Sequence, residues 1–228
     1  MRKILLFFLL VTNGCLFAQI GIRGGYGTSH FDTWQGYAYS RIDSKNASFL
    51  QNGWNVGIDY WFRLKSRRIE FMPEIGFSQF APSNVDGVDY TLSSVNAIFN
   101  VHVYPLDLAE DCNCPTFSKQ GNTIKKGFFI HVSPLLRYYL QNAKGIQEVS
   151  ASALAGGVRA GLGIDVGLSD FLTLSPMVAY EYTTSANWKN LVAAKEQPID
   201  NGDISSTHSG ISGMVRMGFR FNAGRRRR

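Results

Sequence analysis

Residues 209–222 read SGISGMVRMGFRFN. Counted by twos, Ile211, Val215, Met217, Phe219 and Phe221 share one side, and Ser212, Arg216, Gly218, Arg220 and Asn222 share the other. A two-residue alternation is the pattern of a β-strand with one apolar and one polar face. The strand alone does not say which face turns inward. The charges of the other strands do.

Seven further segments alternate in the same way: residues 19–29, 53–64, 69–80, 90–104, 127–140, 151–168 and 171–184. In 53–64, for example, Trp54, Val56, Ile58, Tyr60, Phe62 and Leu64 oppose Asn55, Asp59, Trp61 and Arg63. Residues 90–104 keep their phase only from Val95 onward. Tyr90 and Leu92 fall on the polar parity, which a β-bulge at Ser93 and Ser94 would correct. On this register the apolar faces carry no Asp, Glu, Lys or Arg. The opposite faces carry Arg23, Asp59, Arg63, Glu70, Glu74, Arg137, Arg159, Asp165, Glu181, Arg216 and Arg220. A Lys or Arg at a lipid midplane costs about 2–4 kcal/mol, so a lipid-facing surface excludes them. A soluble barrel would show the reverse, with charge outside and an apolar interior. The sequence therefore predicts an all-β fold, an eight-stranded antiparallel up-and-down transmembrane β-barrel spanning residues 19–222.

The ends are read separately. Arg2 and Lys3 precede the apolar run 4–11, and Leu16, Phe17, Ala18 and Gln19 follow. That run is too short to span a bilayer as a helix. Residues 1–18 have the form of a secretory signal peptide cut after Ala18. Thr12, Asn13 and Gly14 before Cys15 lack the aliphatic residue that lipoprotein processing prefers, which argues against a lipidated N-terminus. Residues 223–228 form a basic tail ending in Arg225 to Arg228. Without Arg2, Lys3 and those four arginines, 17 basic residues face 17 acidic ones, so the formal charge of +6 is concentrated at the ends. A neutral body gives no electrostatic case for nucleic acid.

Connection lengths set an orientation. The links 65–68 and 169–170 are tight, while 30–52 and 185–208 are long. Short turns belong to the periplasm and long loops to the exterior, so both termini are expected in the periplasm of an outer membrane. The link 105–126 falls on the periplasmic side and breaks that rule by its length.

An eight-stranded barrel is just wide enough inside for side chains. Six arginines and five carboxylates would meet there, with Trp61, Ile98, Phe129, Leu135 and Met177 adding bulk. The expectation is a lumen plugged by a charge network, since buried charges must be paired. The alternative is a narrow conduit for water or small ions. Glu70, His102 and His131 fall near one another on adjacent strands, which admits a metal or proton site as well as a satisfied polar core. His131 and Ser133 share a face, but no motif surrounds the serine and a filled lumen admits no substrate. No catalytic constellation and no cofactor motif is read, and a lipid-modifying enzyme would need reactive side chains at the lipid-facing rim, where only His30 stands.

Cys112 and Cys114, in the stretch DCNCP, would face an oxidising compartment. Three readings stay open: a strained disulfide, a metal site completed by Asp107, Glu110 or Asp111, and a bond to an envelope partner. The aromatic residues Phe31, Trp34, Tyr37, Tyr39 and Trp188 lie in the outer connections. They suit partner contacts or the aromatic girdle of the bilayer interface, with Trp188 assigned to the girdle beside Tyr180 and Tyr182. Asp200 to Asp203 reads as a turn rather than a calcium loop, since the rest of an EF-hand is missing.

Four features together resemble the PorT-like family of small outer-membrane β-barrel proteins. They are the signal ending Phe17-Ala18-Gln19, the glycines of the first strand (Gly21, Gly24, Gly25, Gly27), the Gly161 and Gly163 strand, and the aromatic closing strand through Phe219 and Phe221. The resemblance implies a non-enzymatic outer-membrane barrel in contact with outer-membrane lipid. It implies a structural role or one accessory to secretion or envelope assembly; the cysteine segment, read on its own residues, offers an attachment point for a periplasmic or envelope partner through Cys112 and Cys114.

Overall fold

The alternation that opens at residue 209 belongs to a strand longer than the sequence pattern suggests. The computed structural model describes residues 19–40, 49–64, 67–107, 127–169, 171–191 and 202–220. Residues 1–18, read from the sequence as a signal peptide, Cys112, Cys114, Phe221, Asn222 and residues 223–228 lie outside the described residues.

In chain order the elements are β1 (Gln19–Thr28), β2 (His30–Phe31), helix α1 (Asp32–Ser40), β3 (Asn52–Arg63), β4 (Ile69–Phe80), β5 (Ser83–Val85) and β6 (Val88–Val103). After β6 come β7 (Phe128–Lys144), β8 (Glu148–Ile164), β9 (Val166–Gly167), β10 (Leu172–Trp188) and β11 (Ile204–Arg220). β1, β3, β4, β6, β7, β8, β10 and β11 pair antiparallel with their neighbours in sequence order. β11 then pairs with β1, from Gln19 opposite Arg220 to Gly27 opposite Ser212. The sheet is thus a closed eight-stranded antiparallel barrel with no free edge between first and last strand. β9 continues β8 beyond Asp165 and pairs with the start of β10.

Two connections differ from the sequence reading. Residues 81–89 are not a loop: β5 folds back on β6 with Val85 opposite Val88. Asp86 and Gly87 both have positive φ at the bend, the conformation a two-residue hairpin of type I′ needs. Residues 30–40 hold β2, bonded to β11, and helix α1. Ser206 Oγ accepts from the Thr33 amide at 3.0 Å, which satisfies a free donor in the first turn of α1.

The proposed bulge in 90–104 is absent. β6 pairs with β7 without a break from Asp89 opposite Lys144 to Ile98 opposite Leu135. Ser93 and Ser94 pair regularly with Gln79 and Ser78 of β4. Tyr90 and Leu92 point inward and are buried, as do Asn96, Asn100 and His102 further along the same face. What changes along β6 is the environment. Near the end away from the chain termini the inside is apolar (Val88, Tyr90, Leu92) and the outside polar (Asp89, Thr91); below Ser94 the inside is mostly polar and the outside apolar (Val95, Phe99).

The same inversion runs around the wall. β8 exposes Ser150 and Ser152 above Leu154, Val158 and Leu162. β7 exposes Lys144 above Leu140, Tyr138 and Leu136. β7, β8, β10 and β11 are each 17 residues long. Some 9–11 tilted residues suffice to cross a bilayer. The strands therefore carry a membrane-type segment near the termini and a segment patterned like a soluble barrel beyond it.

The outer segment is filled by one cluster: Phe31 and Trp34 from β2 and α1, Phe49, Leu50, Phe80, Tyr90, Leu92, Tyr139, Trp188 and their neighbours. Trp188 is wholly buried, its ring 5.2 Å from that of Trp34 at 81°, so it does not belong to the lipid girdle. Phe31 and Trp34 are likewise fully buried rather than displayed. Their burial follows from α1 turning into the barrel mouth, where Trp34 Nε1 donates to the Ile204 carbonyl at 2.8 Å.

Candidate functional site

Below the apolar cap the lumen is a stack of polar layers, each contributed by inward-facing residues of facing strands. The layer nearest the termini pairs Asp59 of β3 with Arg216 of β11 through two bonds, Nε to Oδ2 at 2.7 Å and Nη2 to Oδ1 at 2.5 Å. A two-pronged contact of this kind is the strong form of a carboxylate–guanidinium pair. Gly21, between them on β1, makes room: a Cβ there would overlap both the guanidinium and the carboxylate. Glu70 accepts from Trp61 Nε1 at 2.6 Å, and Tyr104 contacts both Glu70, at 3.0 Å, and Asp165, at 2.6 Å. Ser175 donates to the other oxygen of Asp165. Arg220 borders this end of the lumen beside Gln19, Thr173 and Gly218. The backbone of Arg63 pairs with Glu70, while its side chain lies outside the described residues.

The middle layer is built on Arg23, which is completely buried. Its Nη1 lies 2.8 Å from Glu74 and 3.0 Å from Asn100 Oδ1. Asn100 ties the layer together, donating through Nδ2 to Glu74 at 2.8 Å and to the Met72 carbonyl at 2.9 Å. Ser133 donates to Asn100 Oδ1 at 2.9 Å and meets His131 Nε2 at 3.0 Å. Because the serine hydrogen points to Asn100, His131 Nε2 is the donor toward Ser133. An imidazole in that state cannot take the serine proton, so the pair does not form a nucleophile relay. His102 and His131 face each other across β6 and β7, with rings 5.0 Å apart at 71°. His102 also stacks on Phe129 at 4.0 Å. Glu70 lies beside His102 in register, and its carboxylate accepts from Trp61 and Tyr104. Among the described residues no group of three His, Cys, Asp or Glu side chains has the spacing of a metal site.

The upper layer centres on Glu181 of β10. One oxygen lies 2.5 Å from Arg137 Nη1; the other accepts from Arg159 Nε at 3.0 Å and Nη2 at 2.7 Å. Arg137 also donates through Nε to Asn96 at 2.7 Å and meets His208 Nδ1 at 3.2 Å. Its guanidinium lies 5.7 Å from the centre of the Tyr139 ring and 6.0 Å from that of Phe80, where charge meets the aromatic cap.

Several participants escape sequence reasoning. Asn96, Asn100, Tyr104 and His208 join the charged residues because they share the inward parity, but neutral polar residues carry no alarm in a strand. Arg68 and Asp107, outside the barrel strands, form a buried ion pair, and the Arg68 guanidinium sits 4.0 Å over the Tyr104 ring. Asp107 is engaged by Arg68, while Glu110, Asp111, Cys112 and Cys114 lie outside the described residues. At the outer rim His30 lies 2.8 Å from Asp32, both exposed, and Thr207 Oγ1 donates to Asp32 at 2.7 Å. The hydroxyl thus bonds the carboxylate rather than the imidazole.

No family model matches the chain, and no curated protein matches it. Solved structures share the general shape. Neisserial surface protein A aligns over 87% of this chain and 95% of its own, with 11% identity and a TM-score of 0.45. The attachment invasion locus protein Ail of Yersinia pestis aligns over 90% and 99%, with 13% identity and a TM-score of 0.45. The outer membrane protein OprG of Pseudomonas aeruginosa aligns over 90% and 96%, with 13% identity and a TM-score of 0.41.

Proposed function

We propose that the chain is a non-enzymatic integral barrel of the outer membrane whose lumen is closed, with both termini on the periplasmic side. The observation that carries closure is the apolar cap. Phe31, Trp34, Tyr139 and Trp188 are each fully buried across the outer end of the lumen, above three layers of polar and charged side chains. Placement in a membrane is supported by the exterior: Ile22, Ile58, Ile75, Phe99, Leu136, Leu162, Val178 and Val215 are exposed on eight successive strands. The orientation is supported by the cap and polar collar standing at the end opposite the termini. In planar bilayers the folded protein is expected to give no discrete conductance steps. Stepwise currents from correctly folded protein would overturn closure and restore the narrow conduit.

The resemblance to PorT-like barrels extends this reading to an accessory role in secretion or envelope assembly, with a partner engaged through Cys112 and Cys114. Capture from envelope extracts under non-reducing conditions tests it. A disulfide-linked adduct that disappears in the Cys112→Ser, Cys114→Ser variant is expected. Equal capture by both proteins would remove the role of the cysteines.

A further inference from the structure

Beside the upper charge layer lies a cavity of about 40 Å³. It is lined on the barrel wall by Gly27, Gly53 and Gly210, close to where β1 gives way to β2. Its outer lip carries Trp54 and Ile211, the outward residues at the upper edge of the apolar band. Its ionisable wall consists of Arg137, Arg159, Glu181 and His208.

Hydrogen-bond accounting gives the cavity a sign. Arg159 Nη1 is buried and has no partner among the described residues; neither has His208 Nε2. The contact between Arg137 and His208 fixes the imidazole tautomer. A guanidinium only donates, so His208 Nδ1 must accept at 3.2 Å and the ring proton sits on Nε2. The longer approach of Nδ1 to Glu181, at 3.5 Å, is too long to compete. Both unpartnered atoms are therefore donors, and both belong to side chains more than nine-tenths buried.

The charge points the same way. Two guanidinium groups face one carboxylate, leaving one positive charge uncompensated. The neighbouring Arg23 and Glu74 neutralise each other and supply nothing. A buried charge without a counter-charge is expensive, and buried donors without acceptors add to the cost. We infer that this cavity is a binding site for a single monoanionic group, a halide ion or a carboxylate, held by Arg159 Nη1 and His208 Nε2. The group completes the charge layer and tightens the barrel; closure of the lumen below is unaffected.

The test uses the full folded protein in neutral detergent. Thermal midpoints are measured in sodium isethionate, a bulky sulfonate used as the reference, and in chloride, bromide, acetate and decanoate at constant ionic strength. Bromide is expected to raise the midpoint saturably, by about 3–6 °C at tenfold over its Kd. Chloride or acetate acting alike identifies a small anion from solution. Decanoate acting alone identifies the carboxylate of a membrane amphiphile. The Arg159→Gln variant removes the surplus charge, and its midpoint is expected to be independent of the anion. Crystals grown in bromide give a readout that needs no variant: an anomalous peak is expected within hydrogen-bonding reach of Arg159 Nη1. Midpoints equal to those in isethionate for every anion, together with no anomalous peak, would overturn the inference and assign the cavity to water.

Discussion

Glu181 is one carboxylate serving two guanidinium groups, and its removal shows how such layers work. Glu181→Gln keeps the shape but leaves Arg137 and Arg159 buried without a counter-charge. Breaking a buried pair in this way costs about 3–5 kcal/mol. The expected outcome is a lower urea midpoint for the barrel in detergent, followed by loss of the heat-modifiable gel shift. Adding Arg159→Gln to the same chain should recover part of the loss, because one charge no longer needs a partner. Gly21 gives a second case. Gly21→Val places methyl groups where Arg216 and Asp59 meet, and it should destabilise the barrel although valine favours strands. Equal stability of Gly21→Val and the parent chain would show that the pair can be displaced without cost. Neither effect is legible in the sequence. A period of two tells which side of a strand a charge shares, but Asp59 and Arg216 are 157 residues apart, and only barrel closure brings them together.

At the scale of elements, the decisive feature is the inversion along β6, β7 and β8. Tyr90 and Leu92 broke the sequence pattern, and a bulge was the expected remedy because a bulge also switches parity. The structure keeps the register and switches the surroundings instead. Sequence alone cannot separate the two, since each exchanges apolar for polar positions at one point. A second signal was available: the outward positions Asp89, Thr91, Ser150 and Ser152 are polar on more than one strand at the same height, whereas a bulge is local. Helix α1 was missed because nine residues with Gly36 in the middle have little helical pattern of their own. Tertiary contacts hold it, chiefly Trp34. Trp34→Ala should cost about 3–5 kcal/mol, with hydrogen exchange of the α1 amides rising before that of the strands. If α1 exchanges at the parent rate, the tryptophan is not what docks it.

At the scale of the whole molecule, the two halves of the barrel obey opposite solvents, and an arginine carried along the outside can locate the boundary. Ile75 lies midway along β4, exposed and flanked by Ile58 and Ala97, with apolar neighbours at Phe71 and Phe77. Ile75→Arg should cost about 2–4 kcal/mol in a lipid bilayer, and an arginine near the interface about 0–1 kcal/mol. Ser150 stands on the outward face of β8 opposite Asn142, among polar neighbours, and Ser150→Arg should be close to neutral. Folding free energies measured by urea titration in vesicles then give a profile along the wall. A peak at Ile75 falling to nothing at Ser150 is the mark of hydrocarbon around the lower half and water around the upper. If the cost is flat along the strand, the exterior meets one medium throughout. The apolar surface of β3, β4 and β11 would then be an interface with protein rather than lipid.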